Sequence, residues 1–202
     1  MTARRSKPTD LREACVREAL KIVASDGLEA LSLRDVARRL GVSHQAPYKH
    51  FASRDHILAE VVGRAYAEFA RHLDARQRDA DPYRDLGELG QSYLDYARKR
   101  PLNYQLMFGT PLPDPAKHPE MMVHARHAFA VLRQAIACLP RRQPETAADL
   151  DALFAWSAVH GLASILETRA GEQVGFDAAV LDAASMHLLR RIGEALGGPR
   201  RE

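Results

Sequence analysis

Between Leu31 and Ile57 the chain spells two very short helices separated by a glycine, and few folds can use that arrangement. Ser32 is placed to N-cap the first of them, with Asp35 at N3 as a capping-box-like partner. Leu31 and Val36 occupy the N′ and N4 positions of a hydrophobic staple. Gly41 supplies the positive φ at which that helix stops abruptly. Ser43 is expected to cap a second helix that ends near Phe51. Ala37 lies where two helices packed this closely leave no room for a larger side chain. Together these features describe a helix-turn-helix. Its second helix carries His44, Gln45, Tyr48, Lys49 and His50, a polar, aromatic and basic face suited to a DNA major groove.

Charge is distributed in keeping with that reading. Residues 1–54 hold 11 Lys and Arg against 6 Asp and Glu, whereas residues 55–202 hold 18 against 20. The net +3 of the whole chain therefore hides a basic N-terminal segment on a slightly acidic remainder. No apolar run approaches the roughly 18 residues of a membrane span. The opening Met-Thr-Ala-Arg-Arg-Ser-Lys-Pro lacks the apolar segment of a signal peptide, so a cytoplasmic protein without a membrane partner is expected. Cys15 and Cys138 both fall in apolar helical patterns and are expected reduced and buried.

Apolar residues recur at helical spacing almost everywhere, so the chain reads as all-α with about nine helices. A first helix is expected from about Thr9 to Asp26, stopped by Gly27, and with the next two it forms a three-helix head over residues 1–53. Residues 54–202 form a helical body, entered by a long helix from Ser53 to about Gln77. Asp81-Pro82 restarts the chain as N-cap and N1 proline. Prolines 111, 113, 115 and 119 require a loop, and helices follow over about 119–139, 145–170 and 176–196.

The penultimate helix is apolar nearly all round. One stripe is Leu150, Leu153, Phe154, Ser157, Gly161, Ser164 and Ile165, and another holds Trp156, Val159, His160, Ala163 and Leu166. A helix of that kind is buried on two sides. The last helix adds Leu181, Ala184, Ser185, Leu188 and Ile192. The expectation is a homodimer contact through Leu153, Ser157, Gly161, Ser164, Leu181, Ala184, Leu188 and Ile192.

Residues 9 to 62 resemble the DNA-binding head of the TetR family of bacterial transcriptional regulators. The resemblance rests on Leu33-Arg-Asp-Val-Ala-Arg-Arg-Leu-Gly-Val-Ser43, on Pro47-Tyr-Lys-His-Phe51 and on Ser53-Arg54. Trp156-Ser-Ala-Val-His160-Gly161 looks like the Trp-x-x-x-His-Gly signature of the C-terminal class known as WHG. The resemblance implies DNA-binding roles for Ser32, Arg34, Ser43, His44, Gln45, Tyr48, Lys49, His50 and Arg54. Gln45 and His44 would reach base edges, and Tyr48, Lys49, His50 and Arg54 would hold phosphates. Arg4, Arg5 and Lys7 would extend the contact as a basic arm. Pro47 departs from the aliphatic residue commonest at that position.

The same resemblance implies a cavity in the body whose small, mostly apolar effector releases a palindromic operator. Its candidate lining is Tyr93, Tyr104, Met107, Phe108, Met122, Trp156 and His160, aromatic and thioether surface with a few polar groups. A repressor is the reading adopted; an activator or a ligand-independent DNA-binding protein are the alternatives. His118, His124 and His127 with Glu120 lack a metal-binding motif, so neither metal nor cofactor is expected. The absence of a phosphate-cradling glycine loop and of a nucleophile elbow argues against an enzyme.

Overall fold

The computed structural model describes residues 10–109, 111–140 and 145–197. Among them there is no strand, and nine α-helices carry the fold. They are α1 (Leu11–Asp26), α2 (Leu33–Leu40), α3 (Arg54–Asp74), α4 (Pro82–Lys99), α5 (Pro101–Phe108), α6 (Val123–Ala137), α7 (Glu145–Glu167), α8 (Ala170–Gln173) and α9 (Ala178–Ala195). Arg4, Arg5 and Lys7 lie outside the described residues. No helix is long and apolar enough to cross a membrane among the described residues.

Helix ends follow local chemistry. Asp10 caps α1 by accepting from the Glu13 N–H at 3.1 Å, and Gly27 ends it at φ +86°. Ser32 Oγ accepts from the Asp35 N–H at 3.0 Å and donates to the Asp35 carboxylate at 2.9 Å. Gly41, at φ +66°, closes α2 in a Schellman turn, its N–H bonding Arg38 O and the Val42 N–H reaching Ala37 O. A Cβ on Gly41 meets nothing within 4 Å, so Gly41→Ala isolates the cost of the left-handed backbone. Urea unfolding should show a loss of about 1–2 kcal/mol; unchanged stability would mean that the turn relaxes to another conformation. Asp81 caps α4 with Pro82 at its first turn, as the sequence suggests.

The chain divides into two compact units. One contains the described residues up to Tyr66 together with Gln105–His124; the other contains Ala67–Tyr104 and the described residues from Ala125 onward. In the first unit α1 packs on α2 and on the segment after it. Cys15, Val16, Ala19, Val36, Ala37, Ile57, Val61 and Val62 are wholly buried there, and Phe51 is nearly so. Ala37, expected where helices pack closely, is wholly buried. Arg12 ties α1 to α3 through Glu60 at 2.6 Å while its guanidinium lies 5.4 Å above the Phe51 ring. Arg64 repeats the tie through Glu13 and Glu60, both at 2.8 Å. Further along α3, a Cβ on Gly63 would sit 3.5 Å from Met121 Cα, so the backbone of 119–122 comes in close. The buried Tyr66 hydroxyl donates to Met107 O at 2.9 Å. Burial pushes its pKa up to about 12.

The second unit is a helical bundle in which α4 contacts α7 and α9, and α7 contacts α8 and α9. Gly90 on α4 is where the Leu189 side chain of α9 enters, and a larger residue would displace it. Arg76 and Asp85, 3.0 Å apart and largely buried, pin the turn between α3 and α4.

Four expectations need correction. The second helix of the motif is no α-helix: residues 44–46 form turns and Pro47–Lys49 a 3-10 turn. Pro47 has no N–H to donate to Ser43 O, and the Ala46 N–H takes that carbonyl instead at 2.9 Å. The helix expected from Pro119 opens as a 3-10 turn over Pro119–Met122 and becomes α-helical at Val123. Cys138 is exposed, because α6 ends at Ala137 and the chain turns there. Ile192, expected on a dimer surface, is 4% exposed and belongs to the core of its own bundle.

Candidate nucleic-acid interface and effector cluster

The segment after the glycine turn presents its polar residues outward. Ser43, His44, Gln45, Lys49 and His50 are exposed, and Tyr48 is 49% exposed, while Pro47 is buried and Val42 and Ala46 are half-buried. The 3-10 segment therefore still offers one continuous face, held from behind by Pro47 and Phe51. Arg34 is exposed near the start of α2. Neither Arg34 nor Lys49 has an ion-pair partner among the described residues, so both charges are available to an anion. Arg38 and Arg39 are committed instead, the first to Asp35 at 2.7 Å and the second to Asp26. The Arg38 and Ser32 hydrogen bonds hold the Asp35 carboxyl below its ordinary pKa.

Arg54 departs from the role implied for it. Its Nε donates to Leu31 O at 3.0 Å and its Nη2 to Leu28 O at 2.9 Å. The guanidinium therefore braces the turn that leads into α2, and Ser32, one residue on, spends its hydroxyl on the cap. Lys49→Ala should weaken binding to any duplex and lower the salt slope by about one unit per contact. Arg54→Ala should lower the melting temperature and weaken binding with the slope nearly unchanged. Binding measured from low to moderate salt separates the two, and equal slope changes would return Arg54 to the phosphate contacts.

Four of the seven residues proposed for an effector are brought together. Tyr93, Tyr104, Trp156 and His160 come together in the second unit. The Tyr104 hydroxyl lies 2.7 Å and the Tyr93 hydroxyl 3.1 Å from His160 Nδ1. Tyr104 also donates to His160 O at 3.3 Å. The Trp156 ring stands 6.1 Å from the imidazole and 5.7 Å from Phe129, an aromatic wall that the sequence reading missed. Phe129 sits in an ordinary apolar helix pattern, so nothing local marked it. Burial pushes the Tyr104 phenol up to about 12 and lowers the His160 pKa, which keeps both groups neutral.

Met107, Phe108 and Met122 belong to the first unit. Met107 is buried there and offers its carbonyl to Tyr66, whose ring meets Phe108 edge-on at 6.0 Å. A cleft of about 300 Å³ in the second unit is bordered by Gln91, Asp95, Arg98, Glu167, Arg169 and Asp182. None of the seven effector candidates lines it. His127 pairs with Asp74 at 2.9 Å and His118 meets His56 edge-on, so these two histidines engage different partners.

On α7 the two sequence stripes separate by exposure. Leu150, Leu153, Phe154 and Ile165 are 68%, 50%, 47% and 44% exposed, and Ser157 lies exposed between them. Gly161 and Ser164 are half-buried on the same side, whereas Val159 and Ala163 are buried opposite. On α9 the expected residues Leu181, Ala184 and Leu188 are half-buried against their own bundle. The large exposed apolar residues of α9 are Val180 and Met186, at 49% and 78%.

Comparison with known proteins agrees with this geometry. The family model described as "Bacterial regulatory proteins, tetR family" matches residues 16–61. The one described as "Tetracyclin repressor-like, C-terminal domain" matches residues 86–192. HTH-type transcriptional regulator Mb1846 of Mycobacterium bovis is 29% identical over 119 residues, covering 55% of this chain and 51% of that protein. Tetracycline repressor protein class C of Escherichia coli is 36% identical over 73 residues, covering 36% of this chain and 32% of that protein. The chain spans about half the length, or less, of these curated relatives. The crystal structure of SCO4313 superposes with a TM-score of 0.73 at 29% identity, covering 98% of this chain and 100% of that one. The TetR family regulator PfmR from Thermus thermophilus shares the fold alone, with a TM-score of 0.63 at 20% identity over 96% of this chain and 100% of that one.

Proposed function

Because the chain belongs to the TetR family of bacterial DNA-binding transcriptional regulators, and not to an enzyme family, we propose that it acts as a homodimeric repressor of a palindromic operator. The single observation that carries the dimer is the exposed apolar face of α7, from Leu150 through Phe154 to Ile165. An apolar surface of that kind on a water-facing helix calls for a partner, and a second copy of the same face is self-complementary about a two-fold axis. Two heads then read two half-sites about one helical turn, or a multiple, apart. The functional division is residues 1–53 for DNA and 54–202 for effector binding and dimerisation, and the site of action is the cytoplasm, where the operator is.

In this reading the effector is small and mostly apolar, bounded by Trp156 and Phe129 and anchored at the Tyr93–Tyr104–His160 cluster. It prefers a body shape that spaces the heads wrongly for DNA. Linkage then requires operator DNA to weaken effector binding by the same factor, typically about 5–150-fold. Selection from random duplexes tests the proposal. Enrichment of an inverted repeat, with two protomers per site, is the expected result; enrichment of no repeat, or of single half-sites by a monomer, would overturn it.

A further inference from the structure

The second unit also carries a basic groove that neither the operator nor the effector cluster uses. It encloses about 470 Å³ and is lined by Glu68, Arg71, His72, Tyr96, Lys99 and Arg100. Three of these six side chains are cations and one is a carboxylate, in a part of the chain where acids outnumber bases overall. The carboxylate offsets one of the three cations and leaves the groove with a net positive charge. One oxygen of Glu68 accepts from Arg100 Nε at 2.7 Å and the other from Asn103 Nδ2 at 2.9 Å. Glu68 thus orients Arg100 and is itself held by Asn103, which also donates to the Tyr96 hydroxyl at 3.0 Å.

The remaining cations are looser. Lys99 reaches Asp95 only at 3.5 Å, and Arg71 makes no ion pair among the described residues. His72 is anchored through Nε2 to Ser92 O at 3.1 Å, and its ring faces Tyr96 at 5.3 Å. Tyr96, at 1% exposure, lies beneath the groove. Two guanidinium groups and an ammonium around one concavity are the donor set that phosphate oxygens match best. The volume falls in the range of small-molecule sites.

The geometry points to a binding site for a small phosphate-bearing ligand between α3 and α4, with Arg71, Lys99 and Arg100 as the phosphate donors. The site is independent of the operator reading, because none of these residues belongs to the head. The shared chemistry is a di- or polyphosphate; whether it comes free or on a nucleoside is decided by the probes.

Calorimetric titration of the full-length protein with pyrophosphate and with ADP, at about 50 mM salt, tests it. Saturable binding below about 1 mM is expected, weakened at least about 10-fold in the Arg71→Ala/Lys99→Ala double variant. Tighter binding of ADP than of pyrophosphate assigns a nucleotide, and equal affinity assigns the phosphate group alone. Lys49→Ala should leave both titrations unchanged; if it removes them, the anion binds the head and the proposal fails. Circular dichroism of the double variant confirms its fold. No saturable binding, or equal affinity in wild type and double variant, overturns the site. Weakened binding of a 20-base-pair duplex by the double variant also overturns it, because the groove would then be a DNA-backbone contact. Retained operator binding with lost pyrophosphate binding is the pattern that supports it.

Discussion

Phe154→Glu is expected to turn the protein into a monomer and to weaken operator binding by at least about 100-fold. The side chain is 47% exposed on α7 and lies beside Leu150 and Leu153, which are 68% and 50% exposed. In the proposed dimer this face is covered, so a carboxylate there loses its hydration against an apolar surface. In the monomer the same carboxylate simply stays in water, and the fold keeps its stability. The large effect on DNA comes from geometry rather than from any lost contact. Two linked heads bind two half-sites with an effective concentration worth about 10²–10⁴ over one head alone. Sedimentation at micromolar concentration and operator titration measure both consequences. A Phe154→Glu dimer with full affinity would move the interface elsewhere on the molecule.

His160→Leu should remove the body's polar cluster and with it a measurable pH dependence. The imidazole Nδ1 is shared by two buried phenols, Tyr104 at 2.7 Å and Tyr93 at 3.1 Å. Losing that common partner should cost about 1–3 kcal/mol at neutral pH. Burial lowers the His160 pKa from its ordinary value, so the unfolded chain takes up the proton more readily than the folded one. Stability is therefore fully present above about pH 6.5 and declines as pH falls through the lower folded value. The leucine variant lacks this component, so the stability difference between the two proteins should narrow on acidification. Urea unfolding of both across pH 5 to 8 measures it, and parallel curves would show that His160 is not the titrating group. Tyr93→Phe should cost less, because the shorter contact between Tyr104 and His160 remains. If the cluster anchors the effector, whichever compound quenches Trp156 in the wild type should lose most of its effect on operator release in both variants.

Most of what was legible in the sequence involves residues within one helical turn of each other. Ser32 with Asp35, Gly27, Gly41 and Asp81 with Pro82 all appear where the pattern placed them, because a cap or a stop is decided by its immediate neighbours. The buried and exposed stripes of α7 were legible for the same reason, since helical periodicity alone sorts residues onto faces. The recognition segment departs from the helical pattern locally, where Pro47 has no N–H to offer an α-turn and Pro47–Lys49 forms a 3-10 turn.

The amino-acid sequence by itself determined the all-α architecture, the helix-turn-helix, its outward polar face and the family. Tertiary structure alone decided what each face meets. It placed Arg54 against carbonyls 23 and 26 residues away, and brought Tyr104 and Tyr93 to His160 across 56 and 67 residues. It turned Ile192 inward and left Met186 outward on the same helix. Periodicity tells which residues share a face, but the choice of partner for that face depends on how whole helices pack. That choice is made by the summed burial of many distant side chains, which no short stretch of sequence contains.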